Sequence, residues 1–306
     1  MATQNTQTIA TLTVENKTFY ERTLLERLLP NLVFVKYGQK KSYNKNEGDT
    51  IQFRKFNSLP VVTEKLTEGV TPDGQNLDIT SKTCKVDQMG AYVVLSDKID
   101  IIGIDPVLTE TAELLGEQGA LSIDTVVRDI VVAGTNVQYA GGVSTRNTVA
   151  EKISGTEIRK AVRTMRKNFI KPFEGKHYVG LMSAETEYDL MNDPMWQDVS
   201  KYSASTQVFD GEVGSLYGVR FVRADNMPVF KGEGASSSDV HATIILGKNA
   251  YGVVDIAGSS KPEMIVKPVG SGDDPLNQRS SAGWKCMFTA IRLEELAILR
   301  VEHCCS

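Results

Sequence analysis

Leu108, Ala112, Leu115, Gly119, Ser122, Val126 and Ile130 recur at three- and four-residue steps, which predicts one long helix with a single stripe turned to a core. Asp105 suits its N-cap, Pro106 its first position and Gly134 its close. At 1.5 Å per residue the rod is about 40 Å long and reads as a spine. Gly116 and Gly119 each cost about 1 kcal/mol relative to alanine in a helix interior, so close packing or a bend is expected there. A second helix opens on the capping-box pattern Ser154-Gly155-Thr156-Glu157. Ile158, Val162, Met165 and Phe169 form its apolar face, Arg159, Lys160, Arg163, Arg166 and Lys167 load the opposite side, and Pro172 follows. The strand His177–Met182 feeds a short helix from Ser183 to Met191, stopped by Pro194. Near the start, Phe19, Leu24, Leu25, Leu28 and Leu29 predict a short amphipathic helix ended by Pro30, and Leu32–Val35 reads as a buried strand or extended segment.

From Gly211 onward glycine-punctuated apolar runs predict strands at Val219–Val222, Ala242–Leu246 and Tyr251–Val254, with a loop at 231–239. A strand pair, Trp284 to Leu293 and Leu296 to Val301, is expected across a tight Glu294-Glu295 turn. The pattern as a whole is α+β.

The stretch from Gly48 to Leu95 has no visible means of burying its middle. Strands Gly48–Phe56 and Thr83–Leu95 flank a polar, turn-rich tip, Leu66–Asp78. An isolated two-stranded ribbon is marginal in water, so this one either folds back on its own domain or lies on another copy of the chain. Residues 1 to about 16 are polar and threonine-rich, with no period, and need a neighbouring molecule to order them.

Composition narrows the classes. Hydrophobic residues make up 41% and charged residues 24%, as in ordinary globular proteins, and no run reaches the roughly 18–20 apolar residues of a membrane helix. The net charge of -4 does not favour a protein whose main task is gripping nucleic acid. With no signal-peptide pattern, a cytoplasmic place of work is expected. Cys84, Cys286, Cys304 and Cys305 form no CxxC and read as free thiols; His177, His241 and His303 show no metal-ligand spacing. No nucleophile elbow, P-loop or dinucleotide fingerprint is present, so no catalytic residue, cofactor or metal is assigned. The basic face at Arg159, Lys160, Arg163, Arg166 and Lys167 reads as solvated, as a contact with acidic neighbours on another subunit, or as facing enclosed nucleic acid.

Several phrases, taken in order, resemble the major capsid proteins of tailed bacteriophages with the Hong Kong 97-like (Johnson) fold, the podovirus-type capsid family most of all. They are Glu47–Arg54, Leu66–Pro72, Leu115–Ala120, Gly211–Phe221, and Gly283-Trp284-Lys285 followed by Arg292-Leu293. The resemblance implies an N-terminal arm and short helix (1–47), an extended β-hairpin loop (48–95), a peripheral domain with the spine helix (96–173 and 256–306) and an axial domain (174–255). It implies hexamers and pentamers in an icosahedral shell around double-stranded DNA, assembled in the host cytoplasm, with DNA held by weak non-specific contact. A portal, decoration proteins and, because only about 45 residues precede the loop, a separate scaffold are the further partners implied. Leu66, Glu68, Gly69, Val70, Pro72 and Asp73 at the loop tip become the inter-subunit contact. The alternatives are an encapsulin-like nanocompartment shell, and a soluble α+β enzyme with an acidic site at Asp210 and Glu212 or Asp273 and Asp274.

Overall fold

The long helix runs over 26 residues, Val107–Val132, and the rest of the chain is arranged against it. The computed structural model describes Leu24 and residues 32–43, 48–57, 59–66, 68, 69, 71–102, 107–173, 175–196, 212–256, 261–269, 276 and 278–306. The expected N-terminal arm, most of the first helix, the Asp105-Pro106 cap, Val70, Asp210, Asp273 and Asp274 therefore lie outside the described residues.

In chain order the strands are β1 (Gln39–Lys41), β2 (Thr50–Phe56), β3 (Ile79–Lys85), β4 (Asp87–Ser96), β5 (Val137–Tyr139), β6 (Tyr178–Met182), β7 (Glu212–Leu216) and β8 (Val219–Arg223). They continue as β9 (Val229–Phe230), β10 (Val240–Leu246), β11 (Tyr251–Val254), β12 (Glu263–Lys267), β13 (Arg279–Phe288), β14 (Ala290–Arg292) and β15 (Ile298–Cys304). A seven-stranded sheet has the order β5-β15-β10-β6-β8-β7, with β9 paired to β10; smaller sheets are β1-β11-β14, β12-β13-β4 and the ribbon β2-β3. Strand alternation divides the core. In β6, Val179 and Leu181 face the large core shared with the long helix, while Tyr178 and Met182 face a second core under the basic helix (Gly155–Lys167).

The long helix buries Ala112, Leu115, Ala120, Ile123, Val127 and Val131. Beyond Gly119 this stripe is one position away from the expected Ser122, Val126 and Ile130, which are only partly buried. Its C-terminal carbonyls are capped by two cations: Arg292 Nη1 donates to Ile130 O (2.8 Å), and Arg300 Nη1 donates to Val132 O.

Three expectations need correction. Residues Phe34–Tyr37 form a short helix, not a strand. The cause is Asp124 on the long helix, whose Oδ1 accepts the Phe34 N–H at 2.8 Å. The strand expected from Thr83 to Leu95 divides at Val86. Residues up to Lys85 pair with β2, whereas Asp87–Ser96 pairs along its whole length with β13. Val86 is buried and its N–H donates to Asp49 O (2.8 Å), closing the ribbon. The last strands do not pair with one another. A 3₁₀ turn at Glu295–Ala297 sends β14 to β11 and β15 to β10 and β5.

Gly252 on β11 is where the ribbon base meets this frame. A Cβ there would stand 2.5 Å from Phe53 Cε1. Gly252→Ala is expected to unseat Phe53 and cost about 1–3 kcal/mol, read as a lower denaturant midpoint; an unchanged midpoint would show that the ring has room to move.

Candidate assembly surfaces

The ribbon has an anchored base and an unattached tip. Ile51 and Phe53 on β2 are buried in the large core. Lys55 pairs with Glu294, and Lys82 Nζ donates to Arg292 O (3.2 Å), tying both strands to the β14–β15 connection. The last ladder pair is Phe56↔Ile79. Beyond it Asn57 Nδ2 donates to Asp78 Oδ2 (2.6 Å) and Thr80 Oγ1 (2.8 Å). Past that clamp the described tip is open to solvent, its apolar side chains included: Val61 is 87% exposed and Leu66 77%, with Leu59, Val62 and Leu77 at least half exposed. Leu66, Glu68, Gly69, Pro72 and Asp73 all lie on this tip and all are exposed. Beside them the tip carries an apolar flank at Leu59, Val61 and Val62.

The five cations lie on the side of the helix opposite its buried stripe, four of them exposed and Lys160 partly buried. Lys160 places its Nζ 2.7 Å from Oε1 of the buried Glu157 and lines a cleft of about 410 Å³ with Gln138, Tyr139 and Arg163. Arg159 lies over the Tyr217 ring, 5.5 Å from its centroid. Arg163, Arg166 and Lys167 are exposed and form no ion pair among the described residues. The capping box does not form. Ser154 is the N-cap but its side chain makes no capping bond, the Gly155 N–H goes to Asp193 Oδ2 (2.6 Å), and Glu157 is held by Gln138 and Lys160. Phe169, expected on the apolar face, is 92% exposed. The helix ends at Lys167, so its period no longer applies two residues later, and Ile170 takes the packing position.

An ionic knot forms around one buried carboxylate. Glu302, fully buried, accepts both Arg146 Nε (2.7 Å) and Arg146 Nη2 (2.8 Å). Arg146 also reaches Glu233 (2.5 Å) and stacks 3.6 Å from the Phe230 centroid. The bond to Glu302 raises the Arg146 pKa above its ordinary value. Arg300 Nε lies 2.7 Å from Glu302 Oε1 as a charge contact without hydrogen-bond geometry.

Two buried titratable groups act in opposite directions on stability. Burial pushes His303 from 6.5 down to about 4, against its bond to Cys304 O. Its contribution is complete above pH 6.5 and lost as pH falls through about 4. Burial pushes Asp124 from 3.8 up to about 6, outweighing the amides of residues 33–35 and Arg128. Its contribution is complete below pH 3.8 and lost as pH rises through about 6, so the two offset each other between. Asp124→Asn keeps an acceptor for Phe34 and is expected to uncover the His303 slope. Unfolding titrations at pH 6.5 and 4 should show the variant losing about 2 kcal/mol more than the parent; parallel losses would contradict the assignment.

Among the described residues no group of three or more His, Cys, Asp or Glu is placed to hold a metal ion, and no helix is long and apolar enough to cross a membrane. The four cysteines are free, and burial pushes the Cys286 thiol up to about 11 and Cys305 up to about 12.

A family model described as phage capsid protein matches residues 80–301. No curated protein sequence matches. Among solved structures, the capsid of Ralstonia phage GP4 is similar at TM-score 0.69 and 14% identity, covering 88% of this chain and 87% of that one. The mature capsid of bacteriophage PhiM1 is similar at TM-score 0.62 and 17% identity, covering 89% and 87%. A virus-like particle from Pyrococcus furiosus is similar at TM-score 0.55 and 9% identity, covering 94% and 100%. These likenesses establish the Hong Kong 97-like fold.

Proposed function

The chain belongs to the phage capsid protein family as a major capsid protein, and from this premise we propose that its copies form hexamers and pentamers that close an icosahedral shell around double-stranded DNA. It is a structural protein of the virion capsid, not an enzyme, and works as many copies of itself. The observation that carries the assembly reading is the ribbon tip, where Val61, Val62, Leu66 and Leu77 are exposed to solvent. Laid on a neighbour, they would supply apolar burial repeated at every interface. In this reading residues 1–47 are the arm and first helix and 48–95 the extended loop, with Leu66, Glu68, Gly69, Val70, Pro72 and Asp73 at the contact. Residues 96–173 with 256–306 are the peripheral domain, and 174–255 the axial domain. A portal, a separate scaffold and decoration proteins complete the particle, assembly takes place in the host cytoplasm, and DNA is held by weak non-specific contacts.

Electron microscopy of the purified protein over a concentration series tests this. Closed particles are expected, and a monomer at every concentration would overturn the reading. Nuclease-protected DNA in particles from infected cells separates this shell from one that encloses protein.

A further inference from the structure

The C-terminal end of the basic helix carries an oddity that its own subunit does not use. Ile170 N–H donates to Met165 O (3.1 Å) and Phe169 N–H to Arg166 O (3.0 Å), the two bonds of a Schellman closure. The turning residue of that motif needs a positive φ, which glycine adopts freely, yet Phe169 stands there at φ 54. Its ring is 92% exposed. The fold therefore carries a strained backbone conformation and an uncovered phenyl group where glycine would complete the same turn. Arg166, Lys167 and Lys171 are exposed nearby, with Arg163 one turn back, and none has a carboxylate partner among the described residues.

The ribbon tip is complementary in both respects. Between residues 57 and 78 it carries Glu64, Glu68, Asp73 and Asp78 against the single Lys65, beside exposed Val61, Val62 and Leu66. Both surfaces are exposed within one chain, so they do not cover each other there. A nucleic-acid duplex would answer the cations but offers no apolar seat for Phe169; the tip offers both.

We propose that the ribbon tip of one copy seats on the end of the basic helix of a neighbouring copy, with Phe169 among Val61, Val62 and Leu66 and the Arg166–Lys167–Lys171 cations facing Glu64 and Glu68. The proposal rests on the reading of the ribbon as an inter-copy clasp, and its tests separate the two. In particles assembled from equal parts unlabelled and heavy-nitrogen protein, zero-length carbodiimide coupling should join Lys167 or Lys171 of one copy to Glu64 or Glu68 of another. Coupling of those carboxylates to lysines elsewhere on a neighbour overturns this seat and leaves the clasp standing; coupling only within a chain overturns both.

Phe169→Gly gives a readout that misfolding cannot imitate. The isolated subunit should melt at a higher temperature than the parent, while particle yield at limiting concentration falls at least tenfold. Parental yield would overturn the proposal. Arg166→Glu with Lys167→Glu should also lower the yield, and adding Glu64→Lys with Glu68→Lys should restore it. Failure of that restoration, or normal particles that merely hold less DNA, would overturn it too.

Discussion

Replacing residues 59–77 with a short turn is expected to leave a subunit that melts as the parent does and forms no closed particles. The cut lies beyond the Phe56↔Ile79 pair, so the ladder, the buried Ile51 and Phe53 and the Lys55–Glu294 pair all remain. What is lost is surface that contributes nothing within one copy. Leu59, Val61, Val62, Leu66 and Leu77 are each at least half exposed, and full burial of such a side chain stabilises by about 1.5–3 kcal/mol. Several kcal/mol per interface, reduced by the entropy of ordering the tip, would decide whether weakly bound copies close into a shell. Sedimentation and microscopy of the deletion variant make the measurement, and parental particles would remove the tip from the assembly contact.

Glu302→Ala should act in the opposite manner, destroying the subunit before assembly is reached. Among the described residues Glu302 is the one carboxylate paired with Arg300, and it is the bidentate partner of Arg146. Its removal leaves Arg300 over the Phe230 ring without its countercharge and Arg146 with only the half-exposed Glu233. Removing one member of a buried ion pair costs about 3–5 kcal/mol, because the remaining charge has lost its hydration and its partner together. A urea midpoint shift of that size is expected in the isolated subunit. A loss below about 1 kcal/mol would mean that water screens the knot as it does a surface pair.

Much of the architecture follows from periodicity, because long amphipathic segments carry their own signal. The long helix and the basic helix are legible from residue spacing, and the tip from its polar, turn-rich composition, which leaves open whether it folds back on its own domain. The exceptions arise where a distant group decides. Leu32–Val35 looks like a strand until Asp124, ninety positions on, accepts the Phe34 N–H. The break at Val86 coincides with a shift of the apolar phase from even positions (Cys84, Val86) to odd ones (Met89, Ala91), but the pattern does not say that the hydrogen bonds change partner there. The Ser154–Glu157 pattern has the residues of a capping box, but the glutamate is taken by Lys160 and Gln138. Phe169 fits the helical period and is nevertheless turned outward, because a helix terminus is set by its closing hydrogen bonds more than by the side chain that follows. A positive φ at phenylalanine leaves no signature in the sequence.

The position of β15 has a consequence for the order in which the protein is made. That strand lies between β5 and β10, with Arg300 opposite Val137 and Cys304 opposite Val240. While a ribosome is still making the chain, β5 and β10 have no common neighbour, and their sheet cannot close until residue 304 has emerged. Pairings this distant in sequence are slow to form and leave apolar strands open while they wait. Until β15 is in place the facing edges of β5 and β10 stay unpaired, the state in which one chain is open to mispairing with another.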